Sequence, residues 1–177
     1  MATIDHLHVA DLFHRGATST TTKEKGDALE QLICYVFSTV PGILIKKTNR
    51  RNAFDTEEID IAFFNEREPS GLPFVPWIIL VECKNWQSPV GSESISWFDR
   101  KISDRGMEFG ILVAANGITG DASKLTDAHF IIAGALSKGR RIIVITRDEL
   151  LRLRDSAELV HMIKEKLCEL AVAGTIV

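Results

Sequence analysis

A chain of 177 residues, 45% of them hydrophobic, is long enough to bury one sizeable core, and its net charge of −3 excludes a globally basic nucleic-acid binder. Only a local basic patch could grip nucleic acid. Three cysteines with no CxxC pair point to neither a zinc site nor a disulfide framework, no apolar run approaches the ~20 residues of a membrane span, and no signal-peptide pattern opens the chain, so a cytoplasmic protein with reduced thiols is expected.

Residues 1–22 end in a polar run and read as a tail or docking arm ahead of one domain, residues 23–177. His6 and His8 there are read as solvated side chains rather than metal ligands. Thr21 and Glu24 have the spacing of a capping box. The helix they open is expected to run to about Phe37, with Leu29, Leu32, Ile33, Val36 and Phe37 on its apolar face. Pro41-Gly42 ends it. A strand is expected over 43–47. The run from Lys46 to Arg51 places Lys46, Lys47, Arg50 and Arg51 within six residues. It reads either as a grip on DNA phosphates or as a solvated hairpin tip.

Residues 58–64 alternate, with Ile59, Ile61 and Phe63 on one face and Asp60 and Ala62 on the other. A turn at Pro69-Ser70-Gly71 leads to a third strand over 77–84. No helix fits between these strands, so antiparallel pairing is expected. A helix over about 93–104 turns Ile95, Phe98 and Ile102 inward and carries Lys101. A strand over 109–115, a helix over 122–137 with Leu125, Ala128, Ile132 and Leu136 inward, a strand over 141–145 and helical turns over 148–171 complete the order α-β-β-β-α-β-α-β-α. The class is α/β, with a mixed central sheet flanked by helices.

The third strand, apolar until then, ends in Glu82-Cys83-Lys84. Side chains two apart share a face, so Glu82 and Lys84 look one way and Cys83 looks into the core. If the two strands pair, Asp60 lies close to Glu82. Two carboxylates in one partly buried place repel each other unless a cation sits between them, and removing either should relieve that repulsion. An oxygen-only pair suits a hard divalent ion, Mg²⁺ in particular. Such an ion polarises a phosphodiester oxygen, while Lys84 would orient the attacking water and stabilise charge on phosphorus. Glu30, one residue off the apolar stripe of the first helix, could reach the same ion. Taken alone, the Glu-x-Lys would be an ordinary surface ion pair; its combination with Glu30 and Asp60 favours catalysis.

The ordered set resembles the PD-(D/E)xK nuclease superfamily, in its restriction-endonuclease-like, Mrr-type branch, over about residues 23–154. The motifs are Gly26-Asp27-Ala28-Leu29-Glu30 on the helix, Ile59-Asp60 on a hairpin, Val81-Glu82-Cys83-Lys84 on a strand, then the strands Gly110-Ile111-Leu112-Val113 and Arg141-Ile142-Ile143-Val144-Ile145. The resemblance implies an αβββαβ core and Mg²⁺-dependent DNA cleavage, with Mn²⁺ as a substitute ion. It implies Asp60 and Glu82 as metal ligands, the Cys83 backbone carbonyl as a third, Lys84 as the catalytic lysine and Glu30 as an accessory acid. Two departures stand out. Ile59 replaces the proline before the aspartate, and the helix after Lys84 lacks the glutamine common in this branch. Lys101 is the candidate substitute, for instance on a phosphate, against a plain solvated lysine.

Trp86 reads either as a stacking side chain at the site's edge or as packing. The 117–120 stretch, Gly-Ile-Thr-Gly, lacks the ending of a P-loop and reads as a βα turn. His129 and His161 read as ordinary side chains. The expected function is a Mg²⁺-dependent endonuclease acting on DNA, of restriction or defence type, with specificity from a homodimer or a partner protein and no membrane. The alternatives are a non-cleaving nucleic-acid or protein-interaction module on the same fold, and a nucleotide-binding regulatory domain built on the 117–120 turn.

Overall fold

The computed structural model describes the backbone of residues 2–51 and 58–175, and the side chains of the same residues apart from 47–51. In chain order the elements are α1 (His6–Thr18), α2 (Thr22–Ser38), β1 (Ile43–Arg51), β2 (Glu58–Asn65), β3 (Ile78–Lys84), α3 (Ser92–Asp104), β4 (Phe109–Ala114), α4 (Asp127–Ser137), β5 (Arg141–Ile145), α5 (Arg147–Arg152) and α6 (Ser156–Ala173). The five strands lie in the order β1-β2-β3-β4-β5. The first three pair antiparallel, as short links require, and β3, β4 and β5 pair parallel through the crossover helices α3 and α4. This is a mixed α/β sheet with the restriction-endonuclease-like order of elements.

The capping box forms as its spacing predicts, with Thr21 accepting from Glu24 N–H and Glu24 from Thr21 N–H. Beyond it the apolar stripe of α2 is fully buried, and Phe37 stacks on Phe63 of β2 at 5.0 Å between ring centroids. Strand β2 follows its pattern of alternation. Ile59, Ile61 and Phe63 are buried, while Asp60, Ala62 and Phe64 on the other face are half-buried. Strand β4 is buried on both faces, as a central parallel strand must be.

Three stretches differ from the sequence reading. Within residues 1–22, positions 6–18 form a helix. Asp5 caps it by accepting from Leu7 and His8 N–H, and Val9, Leu12 and Gly16 are buried along it. The close approach at Gly16 is tight, since a Cβ there would meet Asn85 Nδ2 at 3.0 Å. The basic run from Lys46 onward is a continuation of β1 through Arg51, not a hairpin tip; residues 52–57 lie outside the described residues. The helix expected over 122–137 is broken. Asp121 accepts from Ser123 and Lys124 N–H and Thr126 Oγ1 accepts from Asp121 N–H, a local capping arrangement that competes with the helix. A 3₁₀ turn (Ala122–Lys124) results, and Leu125, at φ 50°, faces solvent instead of the core.

Candidate active site

The register Ile61↔Val81 is the last pairing of β2 with β3. One step further would set Asp60 across from Glu82, and two steps would set Ile59 across from Cys83. The ladder does not continue. Instead the Cys83 N–H donates to Asp60 Oδ2 at 2.7 Å, so a side-chain carboxylate takes the place that a backbone carbonyl would fill. The two strands part at this point, and Asp60 stands in the gap. The other side of β3 stays in the sheet, where Lys84 O accepts from Ala115 N–H. N–H and C=O of one strand residue point to the same side, so the Cys83 carbonyl faces the gap as well.

Glu82, only 5% exposed, is held by two lysines. Lys84 Nζ lies 2.8 Å from its Oε1, and Lys101 Nζ from α3 donates to Oε1 at 3.0 Å and to Oε2 at 2.7 Å. Asp60, Glu82 and Lys84 thus come together, and Lys101 completes the cluster as Glu82's partner. Burial and the nearby Glu82 charge push the Asp60 carboxyl up to about 6, against a smaller pull from the Cys83 N–H and the two lysines. For Lys84, burial disfavours the ammonium, but the Glu82 carboxylate outweighs it and the pKa ends above the ordinary lysine value. The Cys83 thiol is buried and pushed well up, which suits a core side chain and not a nucleophile.

Glu30 lies on α2, near enough for its charge to act on the thiols of Cys34 and Cys83. Helix α2 covers the Cys83 face of the sheet while α3 reaches the Glu82 face through Lys101. Among the basic residues proposed for DNA, Lys46 is exposed, with its Nζ 5.8 Å from the Phe64 ring centroid. The side chains of Lys47, Arg50 and Arg51 lie outside the described residues.

Among the described residues no three His, Cys, Asp or Glu side chains gather as a metal cage. The donor set still fits a hard divalent cation. It offers two carboxylates and a carbonyl, all oxygen, and burial together with the neighbouring like charge holds one carboxyl near 6. Mg²⁺ is commonly held by one or two carboxylates and completes its shell with water and substrate phosphate.

Several supports have no signal in the sequence. Asn85 Nδ2 donates to Lys25 O of α2 at 2.9 Å, and Asn116 donates to Trp86 O, which fixes the chain leaving β3. Trp86 is 42% exposed, and Lys84 Nζ lies 5.7 Å from its ring centroid. Arg140 forks onto Asp99 of α3 at 2.6 and 2.8 Å, which fixes the helix that presents Lys101. Lys101 itself is detectable as an inward-spaced cation on a helix, but its partner is not. The 117–120 turn lines a separate pocket of about 310 Å³ with His129, Thr146 and Lys166. His129, read as an ordinary side chain, is buried, with Nδ1 2.9 Å from Thr175 Oγ1.

A family model, Mrr_cat, described as restriction endonuclease, matches residues 21–154. No curated protein matches the chain. The match spans most of the sequence and contains every residue of the cluster, and the chain belongs to this restriction endonuclease family.

Proposed function

From that membership we propose that the protein is an endonuclease that hydrolyses DNA phosphodiester bonds with Mg²⁺, Mn²⁺ serving as a substitute, in restriction or defence against foreign DNA. The observation that carries the proposal is the meeting of Asp60, Glu82 and Lys84 where β2 and β3 part. The family generally uses divalent metals. Asp60, Glu82 and the Cys83 carbonyl would hold the ion. Bound there, it would supply Lewis-acid activation of the phosphate and of a water.

The chain's own groups then have separate tasks. Lys101 stays on Glu82 and holds that carboxylate in place. Lys84, less enclosed than Lys101, turns from Glu82 to the scissile phosphate and offsets the charge that gathers on its oxygens. Water oxygen joins phosphorus as one bridging P–O bond breaks; the water gives up one proton to solvent, and the departing oxygen takes one up from solvent. Glu30 acts from the α2 side as an accessory acid. Lys46, Lys47, Arg50 and Arg51 grip flanking phosphates. The proposed setting is a cytoplasmic enzyme of one domain, residues 23–177, with α1 packed against it; no helix among the described residues is long and apolar enough to cross a membrane. Its specificity would come from a homodimer or a partner protein.

The test is cleavage of plasmid and linear DNA in Mg²⁺ or EDTA beside Lys84→Ala. That variant leaves Glu82 bonded to Lys101, so its fold is expected to persist. Cutting in Mg²⁺ by the wild type, with a loss of about 100-fold or more in the variant, is expected. Equal cutting by both would remove Lys84 from the chemistry. A folded wild type that binds DNA in Mg²⁺ but leaves it intact would make the chain a binding module.

A further inference from the structure

The face that carries Asp60 and Glu82 continues away from them as an open strip. Side chains two apart on a strand share a face, so Asp60, Ala62 and Phe64 of β2 line it. All three are half-buried. Helix α3 bears on β4, where its Phe98 and Ile102 press and a Cβ on Gly110 would meet Ile102 Cδ1 at 2.5 Å. At the far end, four residues and so roughly 14 Å from Asp60, Phe64 meets Trp77 with 6.0 Å between ring centroids. Trp77 is 54% exposed.

Each of these rings carries a cation. Lys46 Nζ lies 5.8 Å from the Phe64 centroid and the Arg67 guanidinium 5.7 Å from that of Trp77. The end is built, not loose. Arg67 is tied to Pro73 O through Nε and Nη2 at 2.9 and 2.7 Å. Fully buried Asn65 donates to the carbonyls of Leu72 and Val75, and its backbone N–H to Trp77 O, which pins the loop that presents the indole.

An exposed indole backed by a half-buried phenyl ring, each beside a cation, suits unpaired nucleotides: the base stacks on the ring and the phosphate meets the cation. A duplex hides its base faces and could use only the cations. The strip leads from this end to the paired carboxylates on one face. We propose that it is the track of an unpaired DNA segment, held at Phe64 and Trp77 by stacking, and that the substrate is DNA with a single-stranded region at the cut. This rests on the nuclease reading and narrows its substrate.

The test measures binding in Ca²⁺, without turnover, of a labelled oligothymidylate and of a duplex of equal length. Wild type is compared with Trp77→Ala and Trp77→Phe. The wild type should prefer the single strand. Trp77→Ala should weaken single-strand binding about 10-fold and change duplex binding less than about twofold, whereas Trp77→Phe should keep the preference. An unchanged single-strand affinity in a Trp77→Ala protein of wild-type Tm overturns the track. So does an equal loss on both DNAs, and so does loss accompanied by a fall in oligomer size, which would make the patch a contact between copies. Cleavage in Mg²⁺ is scored separately. Single-strand binding without cleavage sinks the nuclease reading and leaves the track; cleavage with no single-strand preference sinks the track alone.

Discussion

Asp60 and Glu82 are both carboxylates, but their surroundings make them opposite cases. Burial, and the like charge beside it, push the Asp60 carboxyl up to about 6 against one strong donor, the Cys83 N–H. Its pKa is therefore above the value of the unfolded chain, and the folded state favours the protonated form. The sign follows: stability falls as pH rises from about 4 to about 6 and stays lower above that. Asp60→Asn keeps an oxygen for the Cys83 N–H and removes this loss. In EDTA at pH 8 the variant should melt above the wild type, and at pH 4 the two should coincide. Glu82 is the reverse case. The sequence alone suggests that removing either carboxylate relieves repulsion, but Glu82 is where Lys84 and Lys101 are neutralised. Glu82→Ala leaves two half-enclosed ammonium groups facing each other and should cost about 1–3 kcal/mol in urea unfolding. A variant as stable as the wild type would show that water already solvates both lysines.

At the scale of elements, the sequence is legible wherever one period governs. The 3.6-residue stripe of α2 and the strict alternation of β2 place both within a residue or two of their ends. Their faces follow, and so does the side of the sheet on which Asp60 meets Glu82. Stretches ruled by side-chain-to-backbone bonds are not legible. Asp121 and Thr126 break a segment whose apolar spacing is helical throughout. The lysine pairing of Glu82 depends on how α3 lies over β3, which no local pattern encodes. Asn65 is the clearest case: an asparagine after an alternating run reads as a turn residue, yet it is fully buried and its amide serves carbonyls 7 and 10 residues away. Asn65→Ala leaves those carbonyls without their donor and should destabilise the protein by about 2 kcal/mol or more in urea unfolding. The loop before β3 should then lose amide-exchange protection before α2 does. Unfolding with the wild-type midpoint and exchange pattern would show that the turn over 68–76 holds itself.

For the whole molecule the deciding quantity is charge. A net −3 repels DNA at long range, so affinity must come from a local cluster strong enough to overcome it. Strand β1 supplies the densest one. Because β1 runs through Arg51 and pairs with β2, the register sets Arg50 beside Ile59, the residue before Asp60. A basic run in a loose hairpin tip would be free to swing away. On a paired strand its backbone is held next to the carboxylate, and phosphates bound there would lie close to the cut. Each phosphate left without its cation flattens log affinity against log salt by about 0.9 on duplex and about 0.7 on single strands. Replacing Arg50 and Arg51 with Ala should therefore reduce the slope by up to about 1.8 on duplex and about 1.4 on an unpaired strand, measured by salt titration in Ca²⁺. The ratio of the two changes is informative in itself, because it reports which form of DNA lies along β1. The weakening should be similar for every sequence tested, since phosphate binding carries no base information. Unchanged slopes on both DNAs would remove β1 from the DNA path and transfer the grip to the helix α3 that bears Arg100, Lys101 and, at its end, Arg105.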